Sequence, residues 1–207
     1  MRKILFICFI VFFGIQSYGY AQTNEIKTKL ATISNKWELK NGNVLIRQNV
    51  KMTHLFKNNV FDILKECFLY KFPYFNIQEI DKANGIIVAK GLIDNIYNTD
   101  ISPESTVKHS FPFIIKTTCA DSNFRIEVTL TSWTYYLPLE IINGNVIEPE
   151  IYTKPISSMY PINTSQRDRA DSKFKTVEGL TFYKGVIQVL TTIDSIENAV
   201  ITGKIEE

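Results

Sequence analysis

The sequence predicts an α+β fold: one twisted antiparallel sheet with two main helices packed on one face. Three observations carry this. Asn41-Gly42 stands between two runs that alternate apolar and polar residues, and Asn-Gly in that setting marks a hairpin because both residues tolerate positive φ. Two stretches, about 54–71 and 175–199, carry apolar residues at three- and four-residue spacing, the pattern of amphipathic helices. Between them lie several runs with the period-two alternation or short continuous apolarity of strands.

The first segment is an address. Met1-Arg2-Lys3 is basic, Ile4 to Ile15 is apolar apart from Gly14, and Gly19-Tyr20-Ala21 places small residues at the −3 and −1 positions before Gln22. That order is the pattern of a cleaved secretory signal peptide over 1–21. The rival, an uncleaved membrane helix, needs about 20 predominantly apolar residues, and Gln16, Ser17 and Gly19 interrupt this run. Cys8 lies inside the apolar core rather than at the cleavage point, so the expected product is exported and not lipidated. No later stretch is long and apolar enough to span a bilayer. An exported chain leaves nucleotide- and chromosome-linked functions behind in the cytoplasm.

Residues 22–35 are polar and mixed, and are expected to form a mobile N-terminus. The single domain then runs from 36 to 207. The hairpin is expected over about 36–40 and 43–52, with Val44, Ile46, Val50 and Met52 on one side and Arg47, Asn49 and Lys51 on the other. Thr53 is the expected N-cap of the first helix, whose stripe is Leu55, Phe56, Val60, Ile63, Leu64, Cys67 and Phe68, and Pro73 ends it. Residues 75–81 alternate as a strand, 82–85 supply a turn, and Ile86 to Ile93 is apolar enough for a central strand. Residues 94–108 are expected to be a polar connection. Ser110 to Cys119 and Phe124 to Tyr136 follow as strands around an Ala120–Asn123 turn. In the second, Phe124, Ile126, Val128 and Leu130 share one side, and Arg125, Glu127, Thr129, Thr131, Trp133 and Tyr135 the other. The region 137–173 holds four prolines and is expected to be a loop, with a small hairpin around Asn143-Gly144 and a solvated stretch from Asn163 to Lys173. So long an irregular region implies either function or hidden strands. The closing helix carries Val177, Leu180, Tyr183, Ile187, Leu190 and Ile193 on its stripe.

Removing residues 1–21 leaves 186 of the 207 residues, enough for one sizeable core. Of 23 basic residues two are Arg2 and Lys3, so the exported chain has 21 basic against 21 acidic residues. A near-neutral chain has no overall electrostatic pull toward nucleic acid or anionic lipid. Cys67 and Cys119 remain after export and sit among apolar neighbours; buried free thiols and a disulfide are both open to them. Two cysteines and two histidines, His54 and His109, far apart in sequence give no zinc-ligand spacing, and no metal or cofactor is expected.

The stretch from Trp37 to Tyr136 resembles an uncharacterised family of exported bacterial domains described as TBP-like in fold. The resemblance lies in Trp37 before Asn41-Gly42, the Val44-Leu45-Ile46 strand, the amphipathic helix after Met52, the run from Gly85 to Gly91, and the paired strands ending at Tyr135-Tyr136. It covers about half of the chain, which departs from the simple domain in its proline-containing segment and C-terminal extension. It implies a twisted antiparallel sheet with helices on one face and brings no catalytic residue with it. The fold name refers to a DNA-binding protein, but a fold does not fix a function.

With helices on the Val44/Ile46/Val50 side, the opposite face presents Arg47, Lys116, Arg125, Trp133 and Tyr135. Large aromatics on such a face are enriched at interfaces, while a plain solvated face with cross-strand pairs such as Lys116 with Glu127 is the alternative. Trp133, Tyr135, Tyr136 and Tyr160, with Arg125, Lys116 and Arg47, are therefore the candidate binding residues. Minor-groove binding would want apolar wedges and excess cations, so nucleic acid is not an expected partner. His54 and His109 sit at element starts outside any nucleophile motif, where surface or capping roles are ordinary. Cys119 beside Thr117-Thr118 reads as core. Glu148 and Glu150 are the only nearby acids for glycoside chemistry, and Asp194-Ser195-Ile196 resembles a bacterial O-glycosylation sequon but falls on the closing helix. The expected function is a non-catalytic periplasmic or envelope binding module whose partner is an envelope protein, a glycan or a small ligand. A small envelope hydrolase with a site in the 137–173 region is the alternative.

Overall fold

The computed structural model describes residues 24–52, 56–72, 74–102, 105–138, 140–142, 145–163 and 172–203. The proposed signal segment, Thr53, His54, Leu55, Pro73, Pro103, Asn143-Gly144 and residues 164–171 lie outside the described residues. Helix α1 (24–32) is followed by β1 (Glu38–Lys40), β2 (Asn43–Lys51) and α2 (Lys57–Glu66), which runs on as a π-helical turn, Cys67–Lys71. Strands β3 (Asn76–Asp81), β4 (Ile86–Ser102), β5 (Ser105–Ala120), β6 (Asn123–Leu130), β7 (Ser132–Leu137), β8 (Glu140–Ile142), β9 (Asn145–Ile147) and β10 (Glu150–Pro155) come next. A 3-10 turn, Ile156–Ser158, and α3 (Ser172–Thr202) complete the order.

The main sheet is antiparallel throughout, in the order β1-β2-β6-β5-β4-β3. The first part of β5 leaves β6 and pairs β7 instead, and β7 pairs β10. The sheet therefore has a body and an arm, both built on the long β4–β5 hairpin. The Asn41-Gly42 turn is as the sequence indicates: both residues have positive φ, 52° and 77°, and Lys40 pairs Asn43 across them.

One face is covered. From the sheet come Val44, Ile46, Ile87, Ile115, Phe124 and Ile126; from α2, Val60, Phe61 and Leu64. From α3 come Phe182, Val186, Val189, Ile193, Ile196 and Val200. This stripe is turned by about one residue from the expected one, and Ile187 is exposed. Gly185 explains the rotation: a Cβ there would overlap the Phe111 ring, so the bare backbone of α3 rests on β5 at that point.

Several expectations are corrected. Residues 24–32 are helical, and Ile26 and Ile33 are buried, so part of the segment expected to be mobile belongs to the core layer. The N-cap of α2 is Phe56, with no side-chain cap. Most of 94–108 is strand. A register shift between Ile93 and Tyr97 places Asp94, Asn95 and Ile96 opposite Ser110 alone, with Asn95 at positive φ; that bulge hides the period-two pattern in the sequence. The 137–173 region contains β8 and β9, paired antiparallel as the small hairpin required, and also β10, whose flanking prolines disguised it.

The most consequential correction is a second bulge. Phe113 pairs Leu130, but Ser110 pairs Thr134. Two residues of β5 thus face three on the other strand, and Thr131 is the surplus. Pro112 has no N–H to offer there, and the Thr131 carbonyl accepts the Ile156 N–H at 3.0 Å instead. One extra residue flips every side chain beyond it. Arg125, Glu127 and Thr129 face the open side, whereas Trp133 and Tyr135 turn to the helix side. Trp133 is only 3% exposed and joins the core.

Candidate functional site

The open face carries alternating charge. Arg47, Glu127 and Lys116 are successive cross-strand neighbours. Arg47 Nε reaches Glu127 at 2.8 Å and Arg125 Nε lies 3.9 Å from the same carboxylate. Lys116 stands directly opposite Glu127, as the sequence suggested. Three of the candidate cations are thus gathered around one acid, which offsets much of the positive field a ligand would meet. A shallow cleft of about 310 Å³ on this face is lined by Leu45, Val88, Ile114, Lys116, Glu127 and Thr129 among others.

The helix side of the arm is different in kind. Tyr97 of β4, His109 of β5, Tyr135 of β7 and Tyr152 of β10 are consecutive cross-strand partners. Their side chains form one row across four strands. Tyr135 and Tyr152 stack with centroids 5.0 Å apart and planes 13° from parallel. His109 stacks on Trp133 at 5.8 Å and 12°, and Trp133 lies 5.2 Å from Tyr135. Two cations flank the row: Lys154 Nζ is 5.3 Å from the Tyr135 centroid and 5.8 Å from that of Trp133, and Lys184 Nζ is 4.6 Å from that of Tyr97. Both are within cation–π reach. Exposure rises along the row from buried His109 to Tyr152, which is 39% exposed.

At its β4 end the row meets a cleft of about 480 Å³ between the 94–96 bulge and α3, and Lys184 and Asp94 are among its lining residues. Gly91 shapes its floor, since a Cβ there would overlap the Phe113 ring. Burial lowers the His109 pKa from 6.5 to about 4, so the ring is neutral at neutral pH and serves as an aromatic surface. Trp133 Nε1 is buried without a hydrogen-bond partner among the described residues. The Tyr152 hydroxyl donates to the Glu150 carboxylate, and that hydrogen bond raises the Tyr152 pKa.

Seven residues were singled out from sequence, and the structure divides them. Arg47, Lys116 and Arg125 stand on the open face. Tyr136 pairs Lys108 and sits on that same side of the arm. Trp133 and Tyr135 belong to the aromatic row behind the sheet. Tyr160 is elsewhere: its N–H donates to Glu178 Oε2 at 2.8 Å and its ring lies against Gly179. His109, expected at the surface or as a cap, is buried in the row. Sequence reasoning missed Tyr97, His109, Tyr152, Lys154 and Lys184; the register that aligns them depends on the two bulges. Cys67 and Cys119 are both buried and free, and burial pushes both thiols up to about 11, which removes them as nucleophiles at neutral pH.

The architecture defines an α+β protein of TBP-like fold, with one open antiparallel sheet and a long C-terminal helix. It is similar to a TBP-like protein from Parabacteroides distasonis, with a TM-score of 0.52 and 16% identity over 79% of this chain and 96% of that one. It is similar also to a DUF4468 family protein from Bacteroides ovatus, with a TM-score of 0.50 and 15% identity over 80% of this chain and 90% of that one. At these identities the likeness establishes the fold. No family model matches the chain, and no curated protein does.

Proposed function

We propose that this protein is an exported, non-catalytic binding module of the cell envelope that holds an acidic glycan against its aromatic row. The observation that carries this is the alignment of Tyr97, His109, Tyr135 and Tyr152 across four strands, flanked by Lys154 and Lys184. Flat rings at strand spacing offer successive apolar platforms to the C–H faces of sugar rings, and desolvated aromatics with a polar rim are the usual anchors of recognition. The two lysines favour a ligand with carboxylates or sulfates. The adjoining cleft gives one end of such a ligand a place to enter. Catalysis has less support. Each of the two clefts is lined by a single carboxylate, Asp94 or Glu127, where glycoside hydrolysis needs two.

The test is native affinity electrophoresis through gels containing polygalacturonate or neutral dextran. The protein is retarded by the acidic polymer and less by dextran, and Tyr135→Ala with Tyr152→Ala abolishes the retardation while the far-ultraviolet circular dichroism is kept. Equal migration in all gels, or undiminished retardation of the folded double variant, overturns the assignment.

A further inference from the structure

We infer that β10 is a self-pairing edge through which two copies of this chain join into one continuous sheet. Strand β10 pairs β7 on one side, and no strand among the described residues pairs its other edge. All six of its residues are exposed, Ile151 to 71%. Exposed edges with apolar side chains template pairing with another chain unless charges or prolines block them. Here the blocking residues are arranged to permit one partner.

The sequence from Pro149 to Pro155 is Pro-Glu-Ile-Tyr-Thr-Lys-Pro. When two copies run antiparallel with Tyr152 opposite Tyr152, Glu150 faces Lys154 twice, Ile151 faces Thr153 twice, and Pro149 faces Pro155 at both ends. The prolines lack N–H donors and confine the pairing to the five residues between them. Opposite charges meet in this register, and cross-strand opposite-charge pairs stabilise where like pairs destabilise. Shifting the register by two residues toward the N-terminus instead sets Ile151 against Ile151 and Glu150 against Tyr152, and loses the reciprocal Glu150–Lys154 contacts.

The geometry has a consequence for the site. Glu150, Tyr152 and Lys154 share the face of Tyr135 and Trp133. A two-fold axis at Tyr152, perpendicular to the sheet, keeps the aromatic rows of both copies on the same side. The second Tyr152 then arrives one strand spacing from the first, about 4.8 Å, and the row doubles from four rings to eight. This assembly does not depend on the ligand being a glycan, and it fails or stands by its own test. A five-residue edge buries little area, so the dimer is a weak one.

Sedimentation velocity of the purified protein from about 1 µM to about 1 mM, a range of about 4 kcal/mol in dissociation free energy, reads the equilibrium directly. The monomer gives way to dimer with rising concentration. Lys154→Glu alone, or Glu150→Lys alone, sets two like-charge contacts in the interface and weakens the dimer about tenfold or more. The combined exchange Glu150→Lys with Lys154→Glu restores the pairing to within about threefold, because each copy then offers the reversed complement. Tyr152→Cys under mild oxidation yields a 152–152 disulfide dimer, since directly opposed residues lie about 4.5–5.5 Å apart at Cα; this variant also serves if a charge variant fails to fold. A monomer throughout the range, a dimer indifferent to the single exchanges, a double exchange that does not recover, or no 152–152 disulfide overturns the inference.

Discussion

Replacing Trp133 by alanine tests the Thr131 bulge more sharply than any other single change. The alternation read straight through from Phe124 places Trp133 on the solvated face, where its removal is nearly neutral. The bulge places it in the core, 3% exposed, stacked on His109 and next to Tyr135. Truncating a buried tryptophan to alanine costs about 3–5 kcal/mol. With a urea slope of about 2 kcal/mol per M for a small domain, the midpoint falls by about 1.5–2.5 M. Trp133→Phe supplies the internal control. It retains a ring against His109 and loses part of the indole's packing, but it also removes an N–H that is buried without a partner among the described residues. Relieving such a group returns about 1–3 kcal/mol, which offsets much of the lost packing. The Phe variant therefore stays within about 0.5 M of the wild type. Equilibrium urea unfolding followed by far-ultraviolet circular dichroism reads all three proteins. An alanine variant whose midpoint moves less than about 0.5 M would refute the bulge and return Trp133 to the open face.

Three further outcomes follow from packing and burial. Gly185→Ala drives a Cβ into the Phe111 ring and destabilises by about 1–3 kcal/mol, read as a lower melting temperature; an unchanged melt means that α3 does not rest on β5 there. His109 is held below its ordinary 6.5, at about 4, by burial. The unfolded chain therefore binds the extra proton first, and this group's stabilisation is complete above pH 6.5 and lost as pH falls toward 4, by up to about 1.4 kcal/mol per pH unit. His109→Gln flattens that part of the urea-midpoint profile between pH 7 and 5, and a profile identical to wild type rejects the buried neutral ring. Cys67 and Cys119, pushed up to about 11 by burial, react slowly with an aromatic disulfide reagent at pH 8 in the folded protein and fast in urea; immediate labelling of the native protein contradicts their burial.

The body of the fold was legible because its signals are local. Asn41-Gly42 dictates a hairpin from two residues, and the stripe from Val60 to Phe68 dictates α2 from one helical period. The α3 stripe was misplaced by a residue because this helix is apolar around much of its circumference, and only the contact of Gly185 with Phe111 sets its rotation. The arm was illegible for a different reason. At Asp94–Ile96 and at Thr131 the strand count changes by surplus residues, and a period-two reading carried through a bulge inverts every later side chain. The bulge at Thr131 depends on Pro112 across the sheet and on the N–H of Ile156, neither of which is near it in sequence. The candidate site inherits both faults: its aromatic residues were visible as residue types, but their alignment across β4, β5, β7 and β10 exists only once both bulges are counted.

The central claim is that this protein binds through the row behind the sheet and not through its open face. The direct measurement is photocrosslinking in the native envelope from p-benzoylphenylalanine placed at Tyr97, on the row and away from the β10 edge, and separately at Asn49, exposed on the open face. The account predicts a carbohydrate-bearing adduct from position 97 and none from position 49. Adducts from position 49 with none from position 97 would contradict it.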